Sequence, residues 1–395
     1  MRLLLLARND GDWWKSLRQR DSVLDAWLGT MSSRELPSLA NTQDERDQVF
    51  QEAAERFARK LQKPYVRRPM RSVLRAEHFE RVLYVHMAAL AWVEGLSFEP
   101  NTLMDVMLDH EERFWEVRAG QALAGLAVQR SLARQVIAAA TLRGGLTNRE
   151  EADLVVGRLL RRPVAENDAA LLQLLNWVYQ RGPEGPTLFL PSLEPDLLGE
   201  AMVMRVAASE PPSGGRVPTD WIDRVLPADE REHIVENGLK VLGRASATQP
   251  SAARPWIERL LAGALFMKRA PLALAAAKAV GESTVFSVLG DVLADRLEVS
   301  GGAEQARQLA AVGIPYPTVS LGRVAEWAGR TLLQAQPVST NEQALAERAV
   351  LLHNRGLQLG SLGRREEALT ATEEAVQIRR GFAARNPDAF QPDLA

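Results

Sequence analysis

The pattern of apolar and polar positions predicts a chain that is built mostly from helices. From Asp44 onward, the segment DERDQVFQEAAERFARKL places an apolar residue at every fourth position, at Val49, Ala53, Phe57 and Leu61. This spacing is typical of a charged helix with one buried face. The later segment AEHFERVLYVHMAALAWVEGL is apolar around most of its circumference and predicts a second, mostly buried helix.

A short apolar run at residues 3–7 differs from this helical pattern. Polar and apolar residues do not alternate in it, so it predicts a strand that is buried on both faces. The run is too short for the apolar region of a signal peptide, and charged residues follow it directly. No segment reaches the roughly 20 apolar residues that a membrane-spanning helix needs. We therefore expect a cytoplasmic protein with no membrane partner.

Residues 101–208 have the order of elements that is found in a winged-helix domain. Helical segments are followed by a Gly/Pro-rich turn with an extended apolar stretch, and then by one more helix. Gly144 and Gly145 predict the end of a helix, and Thr147 with Glu150 predicts a capping box at the start of the next one. The acidic first turn of that helix favours a packing role over DNA reading, because base readout needs basic and polar residues aligned on one face.

Beyond a Pro/Gly-rich linker at residues 209–220, the chain predicts one helix after another, all rich in alanine and leucine. Helices of this composition fit hairpins that stack side by side in an irregular α-solenoid. Within residues 341–395 the pattern becomes more regular, with small residues at Gly356, Gly363, Ala368 and Ala375. Helices need small residues at their contacts when their axes approach within about 8–10 Å.

Residues 352–387 resemble a tetratricopeptide repeat (TPR), a unit of two antiparallel helices. In this resemblance Gly356 marks the crossing of the two helices, and Gly363 marks the turn between them. The resemblance implies a protein or peptide ligand on the inner face of the first helix, where Asn354 and Ser361 are the candidate partner-binding residues. An asparagine side chain can satisfy an extended peptide backbone with both its donor and its acceptor.

The terminal repeat also predicts an uncovered surface. A single repeat unit cannot bury its own apolar face, because its neighbours normally do so. We therefore expect the outer face around Leu369, Val376 and Phe382 to be partly exposed, with self-association or fraying as the consequence. The alternative is a chance amphipathic hairpin that has no repeat function.

Composition narrows the possible chemistry. The chain has 48 basic and 50 acidic residues, and this net charge of -2 gives no support to a nucleic-acid partner for the chain as a whole. Because cysteine is absent, disulfides, thiol nucleophiles and cysteine-ligated metals are excluded. The five histidines are scattered and predict no metal site. We expect the arginine-rich run at residues 65–75 to be a solvated face, with contact to an acidic partner as the alternative.

Several segments, taken in order, resemble the region downstream of the ATP site in bacterial STAND NTPases, which are signal-transduction ATPases with numerous domains. RLLLLARNDGDWW resembles their sensor region, LYVHMAALAWVEG their helical lid, and QVIAAATLRGG their winged helix. The resemblance implies that Arg8 is a sensor arginine and that His86 faces the nucleotide, in both cases only when the nucleotide-binding core is complete. Its apolar surroundings alone predict that His86 is a core histidine.

The sequence departs from this family at the ATP site itself. A phosphate-binding loop needs Gly-x-x-x-x-Gly-Lys-Ser/Thr, and the chain contains no Gly-Lys pair. An apolar strand that ends in Mg²⁺-binding acidic residues is also missing. We therefore expect no cofactor in this chain, and ATP with Mg²⁺ only in a complete protein.

The resemblance divides the chain into five parts. We expect it to be a piece of a longer protein that begins inside one domain and ends inside a repeat array. The five parts are a remnant strand and sensor region of a nucleotide-binding core (1–20), a helical lid (21–100), a winged-helix-like domain (101–208), a helical solenoid or linker (209–340) and a TPR repeat (341–395).

Three functions are compatible with this organisation. The first is a non-catalytic regulatory and protein-interaction module of a STAND-like signalling or defence ATPase, in which the TPR arm senses a partner. The second is a stand-alone α-helical scaffold. The third is a winged-helix transcription regulator with a TPR sensor, which salt-dependent DNA binding would reveal. In none of the three does this chain act as an enzyme.

Overall fold

A computed structural model describes most of the chain in two compact units, Met1–Val128 and Gln129–Ala395. Within the described residues the fold is mostly helical, which confirms the predicted mostly α class. The predicted strand at 3–7, Arg8 and nearly all of the predicted linker lie outside the described residues. The described residues are 40–122, 129–179, 188–208, 220–281, 287–315, 318–336 and 341–385.

The first unit contains two packed helices, α1 (Gln43–Leu61) and α2 (Val82–Glu94), and a third long helix, α3 (Leu103–Ala122). A capping box starts α1: Thr42 Oγ1 accepts the Glu45 backbone N–H at 3.2 Å, and the Glu45 carboxylate accepts the Thr42 N–H at 2.9 Å. Short 3-10 turns lie at Val73–Arg75, Glu77–Glu80 and Pro100–Thr102.

The buried face of α1 differs from the predicted face. Phe50, Ala54 and Ala58 form its buried ridge; of the predicted positions Ala53 is buried as well, whereas Leu61 is 40% exposed. The four-residue ridge begins at Arg46, whose buried guanidinium donates to three backbone carbonyls. Because a buried arginine looks like a surface residue in the sequence, the apolar pattern pointed to positions one residue away. One residue corresponds to a rotation of about 100° around the helix.

Helices also make up the described part of the second unit. They are α4 (Arg130–Arg143), α5 (Arg149–Leu160), α6 (Glu166–Tyr179), α7 (Asp196–Ala208), α8 (Trp221–Val225), α9 (Glu232–Ala245), α10 (Pro250–Leu260), α11 (Phe266–Gly281), α12 (Val288–Ser300), α13 (Ala303–Val312), α14 (Gly322–Ala335), α15 (Glu342–Ser361) and α16 (Arg365–Arg385). Helices close in the sequence pack against each other along most of this unit, as α9 does with α11 and α14 with α15. This arrangement is solenoid-like.

The turn between α4 and α5 follows the predicted pattern at one end only. Gly144 ends α4 with φ +79°, as predicted for a helix followed by a Gly pair. The N-cap of α5 is Asn148 and not Thr147, because the Asn148 side chain accepts the Glu151 N–H at 2.8 Å. Thr147 instead donates its own N–H to the Glu151 carboxylate at 2.8 Å. The predicted capping box is therefore wrong by one residue.

β-type pairing in the described part of the second unit is limited to one antiparallel bridge. Leu146 N donates to Leu190 O at 2.7 Å, and Leu190 N donates back to Leu146 O at 3.1 Å. The bridge joins the segment after α4 to the segment before α7, and both leucines are fully buried. Within the described residues, the extended apolar stretch predicted in this region thus forms a single paired position.

A tryptophan pair connects the start of the solenoid to α4. The rings of Trp221 and Trp256 stack with centroids 4.9 Å apart, and the Trp221 indole N–H donates to Gln135 Oε1 at 2.9 Å. No single helix in the described ranges has the length and apolar character of a membrane span. Two consecutive helical segments, Pro250–Leu260 and Gly263–Gly281, reach that length and apolar character only when they are taken together. The chain bends by 86° between them.

Candidate functional site

The terminal hairpin, α15 and α16, is the best-defined candidate site in the second unit. Gly363 turns the chain between the two helices with φ +78°, a backbone conformation that favours glycine. Gly356 is buried where the helices cross, and a Cβ atom on it would lie 3.3 Å from Ala368 O. The predicted roles of both glycines are confirmed.

The hairpin rests on the preceding helix, α14, through a small apolar core. Leu352 and Leu359 of α15 meet Ala371 and Ala375 of α16 and Leu333 of α14, and all five side chains are buried. Burial of apolar surface is the main stabilising contribution at such contacts. The hairpin is therefore packed against the solenoid on one side and is open on the other.

The opposite side of α15 forms a mixed polar and apolar surface, which we call the open face. It consists of Val350, Asn354, Leu357 and Ser361, with Val350 52% and Leu357 38% exposed. Residues three, four and seven positions apart share one side of a helix, so these four side chains lie in one row. The two apolar members were not predicted from the sequence, although their seven-residue spacing follows that of Asn354 and Ser361.

The two predicted partner-binding residues differ in their availability. Asn354 is exposed, and within the described residues its amide makes no hydrogen bond. Ser361 is exposed as well, but its hydroxyl donates to Gln358 O at 2.7 Å and so provides a hydrogen-bond partner for this carbonyl in the last turn of α15. Asn354 is thus the better candidate for contact with a ligand, whereas Ser361 already has a structural role.

The outer face of α16 is uncovered at one predicted position and covered at another. Leu369 is 60% exposed, and Val376, seven residues on, is half-buried. Phe382 is only 4% exposed, so the prediction was wrong there. Phe382 lies seven residues after the buried Ala375 and therefore belongs to the packed side of the helix. Self-association through Leu369 stays a prediction.

A buried carboxylate connects the terminal hairpin to α14. Glu326 is 4% exposed, and one of its oxygens lies 3.2 Å from Arg355 Nη2 and 3.6 Å from Arg364 Nη1. Its second oxygen lies 3.5 Å from Arg330 Nε on α14 itself. We call these four residues the Glu326 cluster. The hydrogen bonds from Arg355 and the ion pair with Arg364 therefore hold the hairpin in a defined orientation on α14.

A second polar network holds the start of α5. Arg143 is buried and donates to Glu151 Oε1 at 2.8 Å, to Glu230 Oε2 at 2.5 Å and to Val225 O at 2.8 Å. Desolvation alone would raise the pKa of Glu151, but hydrogen bonds from Thr147 and Arg143 outweigh it and lower that pKa from 4.5 to about 2. Glu151 is therefore ionised throughout the physiological pH range.

A shallow groove of about 590 Å³ runs along α5 to the start of α6 and carries arginine side chains. Acidic partners neutralise two of them, since Arg149 lies 2.9 Å from Asp153 and Arg162 lies 2.6 Å from Asp168. Paired arginines offer little free positive charge to DNA phosphates. This pairing favours the packing role that the sequence predicts for this region.

His86 does not have the surroundings that the sequence predicts. It is exposed on α2, while its neighbours Val85 and Met87 are buried, so the core-histidine interpretation is wrong. His86 lies on the side of α2 that also carries Val82 and Leu90, neither of which is fully buried. Partial desolvation and then the charge of Arg56 lower the pKa of His86. Arg8, the other predicted nucleotide contact, lies outside the described residues.

No group of three or more potential metal ligands occurs in the described part of the chain. Comparisons with protein-family models, with curated proteins and with solved structures gave no match. The function must therefore be inferred from the geometry of the chain itself.

Proposed function

We propose that the chain is a non-catalytic regulatory and protein-interaction module of a STAND-like signalling or defence ATPase, as the sequence resemblance implies. In this proposal the TPR-like hairpin binds a protein or peptide on the open face, and the partner biases a two-state equilibrium of the complete protein. Nucleic acid is not the partner of the winged-helix-like region, and the protein acts in the cytoplasm. Bound ATP and Mg²⁺ would belong only to a complete nucleotide-binding core.

The open face is the observation that supports this proposal best. It combines two exposed apolar side chains with an asparagine amide that is free for hydrogen bonding within the described residues. Helix faces of this kind bind extended or helical peptides, because apolar anchors give affinity and the amide fixes the backbone. The Glu326 cluster and the apolar core beneath the hairpin keep the face in one orientation, which lowers the entropy cost of binding.

A second function is supported by the bridge between Leu146 and Leu190. This pairing, with helices before, between and after it, is the order of elements in a winged helix. A transcription regulator would use that domain on DNA. The neutralised arginines along α5 argue against this function, and so the interaction module is the stronger proposal.

Peptide selection tests the proposed function. Peptides selected from a random display library on the full chain should bind the open face, so that Asn354→Ala and Leu357→Ala each weaken binding about 5- to 10-fold, the equivalent of about one hydrogen bond or one apolar contact. The matched control is Gln377→Ala on the exposed side of α16, which should bind like the parent protein. Selected peptides that are insensitive to both α15 substitutions would contradict the proposal.

A further inference from the structure

The first unit carries a local excess of positive charge that the near-neutral total conceals. Residues 56–76 contain eight arginines and lysines and no aspartate or glutamate. Arg56, Arg59 and Lys60 lie on the exposed side of α1, and their spacing of three and four residues places them on one face of the helix. This side of the helix points away from the buried ridge of Phe50, Ala54 and Ala58.

The loop after α1 adds further arginines beside this helix. Arg67 and Arg68 are exposed, and Arg67 Nε lies 3.6 Å from the carboxylate of Glu55, the residue that precedes Arg56. The loop therefore runs back along α1 next to the helical arginines. We call Arg56, Arg59, Lys60, Arg67 and Arg68 the basic face.

Polar side chains of α1 hold this loop in place. The Gln51 amide is buried and donates to Arg68 O at 2.6 Å, while Asp47 accepts the Met70 N–H at 2.7 Å. The Tyr65 hydroxyl is held 2.5 Å from Gln51 Oε1. Such contacts fix the backbone of a loop that otherwise buries few apolar side chains. The arginines are thus presented from an anchored segment, which reduces the entropy that binding would cost.

Most of the charge on the basic face is uncompensated. Among the residues that the structure describes, Arg56, Arg59, Lys60 and Arg68 have no carboxylate within ion-pair distance, in contrast to the paired arginines along α5. Basic residues in the last turn of a helix interact favourably with the helix dipole, and this interaction explains in part why Arg59 and Lys60 occur there. It does not account for Arg56 or for the loop arginines.

We propose that the basic face binds the phosphate backbone of double-stranded nucleic acid without sequence preference. Four of its five members are arginines, whose guanidinium groups bind phosphate oxygens in a bidentate manner. A duplex carries one negative charge per about 1.7 Å of its axis, so several phosphates lie within the roughly 6 Å of helix from Arg56 to Lys60 and the adjacent loop.

The surroundings of the basic face favour nucleic acid over protein or membrane. Leu61 and Val66 are the exposed large apolar side chains between Arg56 and Arg68. Two separate residues are too few for the apolar core of a protein interface or for insertion into a membrane surface. Gln62 is the one asparagine or glutamine between Arg56 and Arg68, and serine and threonine do not occur there, so the amide and hydroxyl side chains that read base edges are nearly missing from this segment. This proposal goes beyond the proposed function, since it concerns a different unit and a different partner.

Fluorescence anisotropy with the full chain and a labelled 20-base-pair DNA duplex tests the proposal. If five phosphate contacts form, raising the salt concentration from 50 to 200 mM should weaken binding about 500-fold. The triple variant Arg56→Gln/Arg59→Gln/Arg68→Gln should bind more weakly at 50 mM salt and lose only about 10-fold over the same range, because two contacts remain. The substituted residues are exposed, so an unchanged melting temperature verifies the fold.

The control variant removes the same charge elsewhere. Arg307→Gln/Arg365→Gln/Arg380→Gln changes three exposed arginines of the second unit and should bind the duplex like the parent protein. A second duplex of unrelated sequence should bind equally well. Three results would overturn the proposal: no binding at 50 mM salt, equal binding by the triple variant, or tighter binding to polyglutamate or to anionic phosphatidylserine vesicles than to DNA.

Discussion

Gly356 and Thr372 approach each other so closely that a Cβ atom on Gly356 would lie 2.5 Å from the Thr372 hydroxyl oxygen. That hydroxyl is held in place because it donates to Ala368 O at 2.8 Å. The two helices of the terminal hairpin can therefore cross at this distance only while residue 356 has no side chain.

Replacing this glycine with a large residue should separate the helices. We expect Gly356→Leu to lower the free energy of unfolding by roughly 1–3 kcal/mol, the usual cost of overpacking a filled contact. Urea denaturation measures the change. The matched control is Gly360→Leu on the same helix, where an added Cβ would meet no atom within 4 Å. Equal destabilisation by both substitutions would mean that leucine itself, and not the helix crossing, causes the loss.

The Glu326 cluster should contribute more to stability than its exposed neighbours. Glu326→Gln removes the negative charge from three arginines, so we expect the free energy of unfolding to fall by roughly 1–3 kcal/mol. Glu298→Gln is the control, because Glu298 also pairs with Arg330 but is about half-exposed. Exposed pairs contribute about 0–1 kcal/mol. A Glu326→Gln variant as stable as the parent would show that the arginines find equivalent partners in water.

The parts of the fold that the sequence predicted depend on local chemistry. Glycine is required at Gly356 by close approach and at Gly363 by positive φ, so both roles were visible from residue type and spacing alone. The presence of a helix could likewise be predicted wherever apolar residues recur periodically over a long segment. The predicted face of α1 was right at Ala53 and wrong at Leu61, because the buried ridge begins at Arg46, whose guanidinium donates to backbone carbonyls from outside the helix. No pattern within the helix reveals those contacts.

The parts of the candidate sites that the sequence missed depend on contacts between distant segments. Glu326 and Arg355 are 29 residues apart, and Arg143 and Glu230 are 87 residues apart, so their pairing follows only from the packing of helices. The basic face was hidden for a different reason. The total charge is a sum over the whole chain and conceals a local excess. The uncompensated arginines of the first unit could be distinguished only from the structure, because it shows that they have no acidic partners among the described residues.

The missing phosphate-binding loop leads to a direct test of the non-catalytic role. Isothermal titration of the chain with Mg-ATP should give no binding heat, because no Gly-Lys pair is present to cradle phosphates. A P-loop ATPase titrated under the same conditions serves as the positive control. A dissociation constant in the micromolar range would contradict the proposal of a module without its own nucleotide site.

The network around Glu151 predicts how stability depends on pH. Because the folded-state pKa of Glu151 is about 2 and its ordinary value is 4.5, the folded protein holds this proton less tightly than the unfolded chain does. The stabilisation is therefore fully present above about pH 5 and is lost as the pH falls from there toward 2. A shift of this size corresponds to roughly 1–3 kcal/mol after allowance for solvent screening.

Substitution of Glu151 isolates this contribution. Glu151→Gln should be less stable than the parent by roughly 1–3 kcal/mol at pH 7, and the difference should shrink as the pH falls below about 5, because the parent then loses the same charge. Urea denaturation between pH 7 and pH 3.5 measures the difference. Glu150→Gln is the matched control: Glu150 lies in the same first turn of α5 but is exposed, and its effect should stay near zero at every pH. If the Glu151→Gln deficit stayed constant down to pH 3.5, the lowered pKa would not be the source of the stabilisation.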